Sequence, residues 1–506
     1  MRLPDDTPTL AEMVRRALAR DRSVPALEFE GRWQSWGDLR QQADRVCHLL
    51  RISGIAQNAP IAFVPRNRPS SIAALLGLLA DGRTVRMIYA FQSSEAIARE
   101  IIRLGVSAII VDAQDLTDLL SNALSAQGLV GIRLSDHSID PVAGAETAGP
   151  NAATRIATGE PLIEILTSGT TGPPKQFPIS HRMIAQSFVG SAALEPEALA
   201  ASAALPPYLL YFPLGNISGI YSTIPTLIRG QRACLLDRFS IAQWHDYVVR
   251  HRPAHSGIPP STMRALLDAN FPASDFASIK AMGVGAAPLD PELQREFQDR
   301  YSIPILLSYG ATEFGGPVCA WSLDLHAQWG EAKLGSVGQP ILGAQLRIVD
   351  PDTGTELRAG EEGRLDVVSP RVGPDWIKTS DIAMVDSDGF LFLRGRADGA
   401  IMRGGFKVLP ETIERALLQH PSVAEAAVVD IADQRVGQVP AAIVKIVNGG
   451  GMLTPSDLEA HLRRLLPATH IPARWHFCEA LPCNASMKID RPAIRSLFNE
   501  LDPYPT

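Results

Sequence analysis

The chain has few of the features that mark secreted, membrane-spanning or nucleic-acid-binding proteins. Its five cysteines are scattered, without a CxxC pair, so neither a disulfide framework nor a zinc site is expected. No apolar run approaches the roughly 20 residues of a membrane helix, and the N-terminal segment lacks the basic and apolar regions of a signal peptide. With a formal net charge of −7, no basic surface that would bind nucleic acid is expected. We therefore expect a cytoplasmic protein with no membrane span and no nucleic-acid partner.

Lysine is scarce as well, although cationic residues are not. Of the 47 lysine and arginine residues, only seven are lysine. Where arginine is the default cation, we expect a lysine at places that require a compact ammonium group. Two of the seven, Lys175 and Lys488, lie within the motifs described below.

The distribution of apolar segments predicts more than one domain, because 506 residues exceed one ordinary core. Short apolar strands alternate with helical stretches over the first 130 residues, which is typical of a mostly parallel sheet covered by helices. The tail reads as a small α+β unit with helices at PETIERALLQHP and after Thr454. The predicted fold class is therefore α/β, with a large N-terminal domain of mixed and parallel sheets (1–396) and a small domain (397–506), the boundary following the short strand in DSDGFLFLRGR.

The strongest functional signal is the segment ILTSGTTGPPKQFPISH, which runs from Ile165 to His181. Glycines allow backbone N–H groups to face an anion, hydroxyl groups add donors, and a lysine supplies a mobile positive charge. The pattern predicts a polyphosphate site, although the spacing is not that of the Walker motif. A flexible linker is the alternative, which the apolar strand before the loop and the lysine after it disfavour. The predicted contacts are Thr167, Ser168, Gly169, Thr170, Thr171, Gly172 and Lys175.

The segment SGTTGPPK resembles the signature loop of the adenylate-forming superfamily, which includes acyl- and aryl-CoA synthetases, amino-acid adenylation domains and firefly luciferase. In that superfamily the loop holds the β- and γ-phosphates of ATP. Further motifs extend the resemblance, in the expected order, over nearly the whole chain. The resemblance implies an enzyme that activates a carboxylic acid with ATP and Mg²⁺ and passes the acyl group to coenzyme A.

The resemblance also assigns residues to the nucleotide. In YGATE it implies that Tyr309 stacks on adenine, Thr312 contacts the α-phosphate and Glu313 helps to hold Mg²⁺. Asp381, in the segment TSD, matches the residue that binds both ribose hydroxyls, and Arg396 matches the second ribose contact. The segment GVGAAP resembles the turn that borders the adenine and the acyl pocket. The remaining nucleotide residues are Gly285, Ala286, Ala287 and Gly310.

Three further matches concern the tail of the chain and the second half-reaction. Asp398 matches the hinge about which the small domain of the superfamily rotates. Gly404, Gly405 and Phe406 resemble the loop that lines the pantetheine tunnel of coenzyme A. Lys488, in MKIDR, matches the lysine that bonds the carboxylate and the α-phosphate during adenylation. The implied catalytic residues are Lys488, Glu313 and Thr312.

The acyl pocket is where the sequence departs most from the pattern. Asn216 stands where relatives carry an aromatic residue or histidine, which floors the pocket or gates the thiol. Ile217 lies about where amino-acid-activating relatives place an aspartate, and an apolar residue cannot pair with an ammonium group, so an α-amino acid is disfavoured. Ala311 completes the predicted pocket. An uncharged pocket of this kind suits an aryl or medium-chain acid.

Two alternatives stay open at this point. An adenylating enzyme of the same family can deliver the acyl group to an amine or to a carrier protein acting in trans. A catalytically dead binder of a nucleotide or an acyl-adenylate is the second alternative. Asn216 and Met487, which replaces a glycine before the lysine, favour it, whereas Glu313, Asp381 and Lys488 oppose it. The sequence is compatible with a monomer or a homodimer.

Overall fold

The computed structural model describes the chain in segments that together form two compact units. The described residues are 8–90, 93–136, 138–149, 159–167, 175–403, 406–433, 436–447, 453–484 and 488–501. The first unit contains Met1–Ser256, Ser274–Ile279 and Ala311–Gly316. The second unit contains Gly257–Ala273, Lys280–Gly310 and Pro317–Thr506. This division does not test the predicted domain boundary between residues 396 and 397, which stays a prediction.

Helices occur along the whole described chain. In chain order they are α1 (Leu10–Leu18), α2 (Trp36–Ile52), α3 (Pro69–Ala80), α4 (Ser94–Leu104), α5 (Asp118–Gln127), α6 (His181–Met183), α7 (Pro196–Ala204), α8 (Ile217–Ile228), α9 (Ile241–His251), α10 (Met263–Asp268), α11 (Pro291–Tyr301), α12 (Leu323–Trp329), α13 (Pro410–Leu418), α14 (Pro455–Arg463) and α15 (Arg491–Leu501). Among the described residues, none of these helices combines the length and the apolar character needed to cross a membrane.

The strands are shorter and fall into several sheets. In chain order they are β1 (Pro25–Phe29), β2 (Arg32–Ser35), β3 (Ile61–Val64), β4 (Val85–Met87), β5 (Ala108–Asp112), β6 (Val130–Leu134), β7 (Ile139–Pro141), β8 (Leu162–Thr167), β9 (Lys175–Ser180), β10 (Tyr208–Leu210), β11 (Ala233–Leu235), β12 (His255–Gly257), β13 (Ala281–Val284), β14 (Ile305–Ala311), β15 (Gly316–Ala320), β16 (Gln339–Pro340), β17 (Gln345–Val349), β18 (Gly363–Val368), β19 (Ile377–Val385), β20 (Leu391–Arg396), β21 (Ile401–Arg403), β22 (Phe406–Val408), β23 (Val423–Asp433), β24 (Gly437–Ile446) and β25 (Arg474–Phe477).

The first unit is built around a seven-stranded sheet with the order β7-β6-β5-β3-β4-β8-β9. Its central strands pair in parallel, and the two edge strands pair antiparallel to their neighbours. Both β3 and β5 are buried along their full length, as expected for parallel strands covered on both faces. Helix α3 is apolar nearly all round and almost entirely buried. The predicted α/β character of this part of the chain is confirmed.

A smaller sheet of the first unit has the strand order β10-β11-β1-β2. Strand β1 pairs in parallel with β11, so that Glu28 lies opposite Cys234. On its other side β1 forms an antiparallel hairpin with β2. The sheet therefore joins segments that are about two hundred residues apart in the sequence.

The second unit contains a four-stranded antiparallel sheet with the order β17-β18-β19-β20, and strands β13 and β14 pair in parallel. Towards the end of the chain, β21 to β24 form a further sheet, to which β25 adds beside β24. Helices α13 and α14 pack on one face of it, where Val428 is buried, and α15 packs on the other face, where Val429 is buried. This alternation follows the two-residue period of a strand. The predicted α+β tail is confirmed, including Pro410 at the first turn of α13 and the Thr454 cap of α14.

Candidate functional site

The segment that resembles the ATP-phosphate loop connects two antiparallel strands. Strands β8 and β9 pair from Leu162↔Ser180 to Thr167↔Lys175, so the two ends of the connecting loop are neighbours. Thr167 and Lys175 are the last and first residues of these strands. The remaining predicted phosphate contacts, Ser168, Gly169, Thr170, Thr171 and Gly172, lie outside the described residues. Their assignment to the polyphosphate stays a prediction.

A cluster of three predicted nucleotide residues lies in the second unit. The hydroxyl of Tyr309, on β14, donates a hydrogen bond to Oδ2 of Asp381. The guanidinium of Arg396 lies 3.5 Å from Oδ1 of the same carboxylate. Asp381 and Arg396 are direct partners on the antiparallel strands β19 and β20. The backbone N–H of Asp381 donates to Thr379 Oγ1 at 2.9 Å, and this bond restrains the backbone from which the Asp381 side chain projects. Three residues that the sequence assigned separately to the nucleotide site thus contact one another in the structure.

The electrostatics of this cluster suit the binding of hydroxyl groups. Tyr309 is buried, and burial raises the pKa of its hydroxyl, with the Asp381 charge raising it further. The phenol therefore keeps its proton and acts as a donor to the carboxylate. The side chain of Asp381 is 17% exposed, and a carboxylate has about four lone-pair sites. Asp381 consequently retains acceptor capacity beyond its contacts with Tyr309 and Arg396.

The turn after β13 lies beside the same strand as Tyr309. A Cβ at Gly285 would lie 2.6 Å from Oγ of Ser308, the residue before Tyr309, so a side chain here would require Ser308 to move. Ala286 has a φ of 68°, which is uncommon for a residue with a side chain. Strained backbone of this kind persists where the surrounding structure determines it, often at functional sites. Ala287 follows in the same turn, and Gly310 is the exposed residue after Tyr309.

Thr312 and Glu313 lie in the first unit, in a short 3₁₀ turn that spans Thr312–Phe314. Buried Phe314 anchors the turn, and Gly315 ends it with its N–H donating to the carbonyl of Thr312 at 3.0 Å. Thr312 is half-buried and Glu313 is exposed, so both side chains are accessible. An accessible carboxylate beside a hydroxyl offers the oxygen ligands that Mg²⁺ prefers. Ala311, the predicted pocket residue, immediately precedes the turn.

Asn216 and Ile217 mark the start of α8 in the first unit. Asn216 occupies the N-cap position, yet its side chain makes no capping hydrogen bond. Its Oδ1 is buried and has no hydrogen-bond partner among the described residues. A buried acceptor without a partner is costly, and such a group in a native fold calls for an explanation. Ile217 is half-buried and packs against the apolar core of the unit.

Sequence reasoning missed the residue that positions the segment before Asn216. Asn67 is buried, and its side-chain amide donates to the carbonyl of Phe212 at 3.2 Å and to that of Leu236 at 3.1 Å. Its own Oδ1 accepts from the backbone N–H of Leu214 at 3.0 Å. An asparagine between the fully apolar strand β3 and the proline that starts α3 was the available signal. Such a side chain can satisfy backbone groups of a neighbouring loop.

The region of the predicted hinge follows β20 directly. A 3₁₀ turn spans Ala397–Gly399, and it contains Asp398. Just before it, Gly395 has a φ of 148°, and a Cβ at this position would lie 2.6 Å from Oε2 of Glu411. Among the predicted tunnel residues, Gly404 and Gly405 lie outside the described residues and Phe406 begins β22.

Lys488 lies exposed in a tight loop near the end of the second unit. Its backbone N–H donates to Asn484 Oδ1 at 3.1 Å, and its carbonyl accepts from Asn484 N–H at 2.8 Å. An isolated bridge between Cys483 and Ile489 closes the loop. Met487 lies outside the described residues. The backbone of Lys488 is thus bonded to Asn484, whereas the catalytic role of the Lys488 ammonium stays a prediction.

Comparison with known proteins covers almost all of this chain. The family model of the AMP-binding enzymes matches residues 14–374, and that of their C-terminal domain matches residues 412–488. A 2-succinylbenzoate–CoA ligase of Bacillus cereus is 25% identical, over 97% of this chain and 98% of that protein. A 4-coumarate–CoA ligase of Oryza sativa is 26% identical, over 97% of this chain and 92% of that protein.

Solved structures agree with this fold over the same length. The o-succinylbenzoate CoA synthetase of Bacillus subtilis, in complex with its acyl-adenylate intermediate, matches with a TM-score of 0.75 at 23% identity, covering 96% of this chain and 98% of that one. The ATP-bound MatB of Rhodopseudomonas palustris matches with a TM-score of 0.77 at 20% identity, covering 97% and 99%. The predicted fold class, with a large N-terminal and a small C-terminal domain, is confirmed. The chain belongs to the AMP-binding enzyme family, which is the adenylate-forming superfamily that its motifs resemble.

Proposed function

We propose that this protein is an ATP-dependent acid–CoA ligase. In the first half-reaction a carboxylate attacks the α-phosphorus of ATP and displaces pyrophosphate. In the second, the thiol of coenzyme A attacks the acyl-adenylate carbonyl and releases AMP. The observation that carries the proposal is the joined cluster of Tyr309, Asp381 and Arg396 in a chain that belongs to the AMP-binding enzyme family. The ligases named above, which act on 2-succinylbenzoate and 4-coumarate, support coenzyme A as the acceptor.

The proposed nucleotide site uses each part of the cluster differently. Asp381 accepts the ribose hydroxyls through its remaining lone pairs, and Arg396, which faces the same carboxylate from the neighbouring strand, provides the second ribose contact. The ring of Tyr309 packs against the adenine while its hydroxyl stays on Asp381. The turn at Gly285 approaches the strand closely enough to border the base. These contacts orient the nucleotide, and holding reactants in the right geometry lowers the barrier to such a reaction.

Charge on the reacting phosphate requires positive groups. Lys488 is proposed to bond the attacking carboxylate and the α-phosphate, with Thr312 as an additional donor. Lys175 and the loop from Ser168 to Gly172 are proposed to hold the outgoing phosphates. The exposed carboxylate of Glu313 fits a hydrated Mg²⁺ ion, which would neutralise phosphate charge when bound.

The acid is proposed to be an aryl or medium-chain carboxylic acid. Ile217 offers no partner for an ammonium group, which disfavours α-amino acids. The buried Oδ1 of Asn216, which lacks a partner in the described part of the chain, is proposed to accept a hydrogen bond at the substrate side of the pocket.

The family models leave residues 375–411 unmatched between them, and the proposed hinge at Asp398 and domain boundary at 396/397 lie in this interval. The protein is proposed to act in the cytoplasm, with Gly404, Gly405 and Phe406 lining the path of coenzyme A.

A pyrophosphate-release screen over aryl and medium-chain acids, with and without coenzyme A, tests this function. We expect acid-dependent pyrophosphate release, and a thioester product only when coenzyme A is present. Adenylate formation without a thioester would indicate that the acyl acceptor is an amine or a carrier protein. Each of these acceptors can then be added to the assay in turn. ATP binding without pyrophosphate release from any acid would establish the dead-binder alternative.

A further inference from the structure

A cluster of three metal-ligating side chains lies in the first unit and has no part in the proposed reaction. Glu28 is in β1, Cys234 lies opposite it on β11, and His251 is the last residue of α9. One ligand atom from each lies within 4.8 Å of the others. The thiol of Cys234 donates to Glu28 Oε2 at 3.2 Å, and Nε2 of His251 lies 3.0 Å from the same oxygen. The three side chains therefore converge on a single point.

The cluster is enclosed by the sheet. Glu28 is 3% exposed and Cys234 is 4% exposed, while the side chain of His251 is 16% exposed. Burial tends to raise the pKa of Glu28, but hydrogen bonds from Cys234 and Arg250 more than offset this effect, and its pKa lies below the usual value. Burial raises the pKa of Cys234, and the charge of Glu28 raises it further. The cluster thus contains a buried carboxylate and a neutral thiol.

The Nε2 atom of His251 has two polar neighbours that require different protonation states. Nε2 of His251 lies 3.0 Å from Glu28 Oε2 and 3.2 Å from Nη1 of Arg250. With a proton, Nε2 can donate to Glu28 but then faces the N–H of Arg250. Without a proton, it can accept from Arg250 but then faces the carboxylate lone pairs. Nε2 can make only one of these two hydrogen bonds at a time, and a cation between Nε2 and Oε2 would use a lone pair of each atom.

We propose that Glu28, Cys234 and His251 form a binding site for a divalent transition-metal ion of the zinc class. A carboxylate oxygen, an imidazole nitrogen and a thiolate are the ligand types of four-coordinate zinc, with water completing the set. The sulfur ligand disfavours Mg²⁺ and Ca²⁺, which take oxygen ligands. On binding, the S–H bond of Cys234 breaks, its proton goes to solvent and the sulfur bonds the metal. The ion links β1, β11 and the end of α9.

Arg250 is the group that opposes this ion, and the structure provides an alternative place for it. Its Nη1 bonds Glu28 Oε1 at 2.6 Å, but its Nε also bonds Asp246 Oδ2 at 2.7 Å. Both of these side chains, Arg250 and Asp246, are largely exposed, at 42% and 59%. The guanidinium can therefore stay on Asp246 and turn towards solvent while the metal takes its place beside Glu28.

The test titrates the chelator-treated full chain with Co²⁺ and then with Zn²⁺. We expect one Co²⁺ per chain with a sulfur-to-cobalt charge-transfer band, displacement of that band by Zn²⁺, and a higher melting temperature with Zn²⁺. Cys234→Ser should abolish the band, and His251→Gln should weaken binding about tenfold or more. Cys47→Ser is the matched control, since this partly buried cysteine of the same unit bonds Gly77 O and should leave binding unchanged.

The variant Arg250→Gln distinguishes a metal site from a hydrogen-bonded network in which the loss of any side chain would be destabilising. Removing a cation beside a cation site should tighten binding of Co²⁺ by about three- to tenfold, whereas loss of a structural partner would not. The absence of a thiolate band in wild type, or its persistence in Cys234→Ser, would overturn the proposal. If Cys234→Ser fails to fold, Cys234→Ala and His251→Gln give the same comparison.

Discussion

Nucleotide binding should depend strongly on the carboxylate of Asp381. Asp381→Asn keeps the shape of the side chain but replaces one acceptor oxygen by an amide group. In the structure one oxygen accepts from Tyr309 and the other faces Arg396 at 3.5 Å. An asparagine has a single acceptor oxygen and two N–H donors, so it cannot face Arg396, accept from Tyr309 and accept ribose hydroxyls together.

The magnitude follows from the hydrogen bonds that the substitution removes. Hydrogen bonds to charged groups contribute about 1.5–3 kcal/mol each. Asp381→Asn removes the charge and at least one bond to the ribose, and the 17% exposure of the side chain limits screening by solvent. We expect ATP binding to weaken by about 2–3 kcal/mol, which is roughly 30- to 200-fold in affinity. Tyr309→Phe leaves both carboxylate oxygens available to the ribose and should cost about tenfold or less.

Calorimetric titration of the full chain with ATP, at a fixed Mg²⁺ concentration, measures both variants. A thermal melt of each variant checks that the fold is intact. Unchanged ATP affinity in Asp381→Asn, at an unchanged melting temperature, would remove this carboxylate from the nucleotide site. Equal losses in the two variants would mean that Asp381 acts by holding Tyr309 and does not contact the ribose.

Three further predictions concern other parts of the molecule. Glu313→Gln should reduce Mg²⁺-dependent pyrophosphate release about 10²–10³-fold without changing the melt, and a near-wild-type rate would exclude Glu313 from the reaction. Lys488→Ala should depress adenylate formation about 10²-fold or more, yet leave thioester formation from synthetic acyl-adenylate close to the wild-type rate; equal loss of both steps would contradict its proposed role. Gly395→Ala should lower the free energy of unfolding by about 1–3 kcal/mol in urea, because of its φ of 148° and its approach to Glu411 Oε2. Adding Glu411→Ala should restore the steric part of this loss, and no restoration would contradict the contact.

Local signals were sufficient for much of the fold. Helix α13 begins at the proline that the sequence marked as its first turn, and Thr454 caps α14 as predicted. The buried strands β3 and β5 follow directly from their apolar segments. Each of these features depends on residues a few positions apart, so local propensity and capping chemistry predict it from the sequence.

The candidate sites depend on long-range pairing, which no local pattern reveals. Tyr309 meets Asp381 across 72 residues, and Cys234 meets Glu28 across 206 residues. The absence of a CxxC pair predicted no zinc site, because such a motif detects only ligands that are close in sequence. The cluster of Glu28 and Cys234 arises from the register of β1 against β11 instead. The sequence assignments around Asp381 rested on resemblance for the same reason.

The position of Arg396 beside Asp381 requires one irregularity in the sheet. Strands β19 and β20 pair as Val385↔Leu391 and Ala383↔Leu393, and then shift by one residue to Ile382↔Gly395 and Asp381↔Arg396. Without this bulge Asp381 would lie opposite Gly395, and Arg396 would project from the other face, because successive side chains alternate. Gly395 lies at this bulge and has a φ of 148°, a conformation that favours glycine. The glycine in RGR was therefore the sequence signal for this part of the site, since a glycine within a strand often marks a bulge.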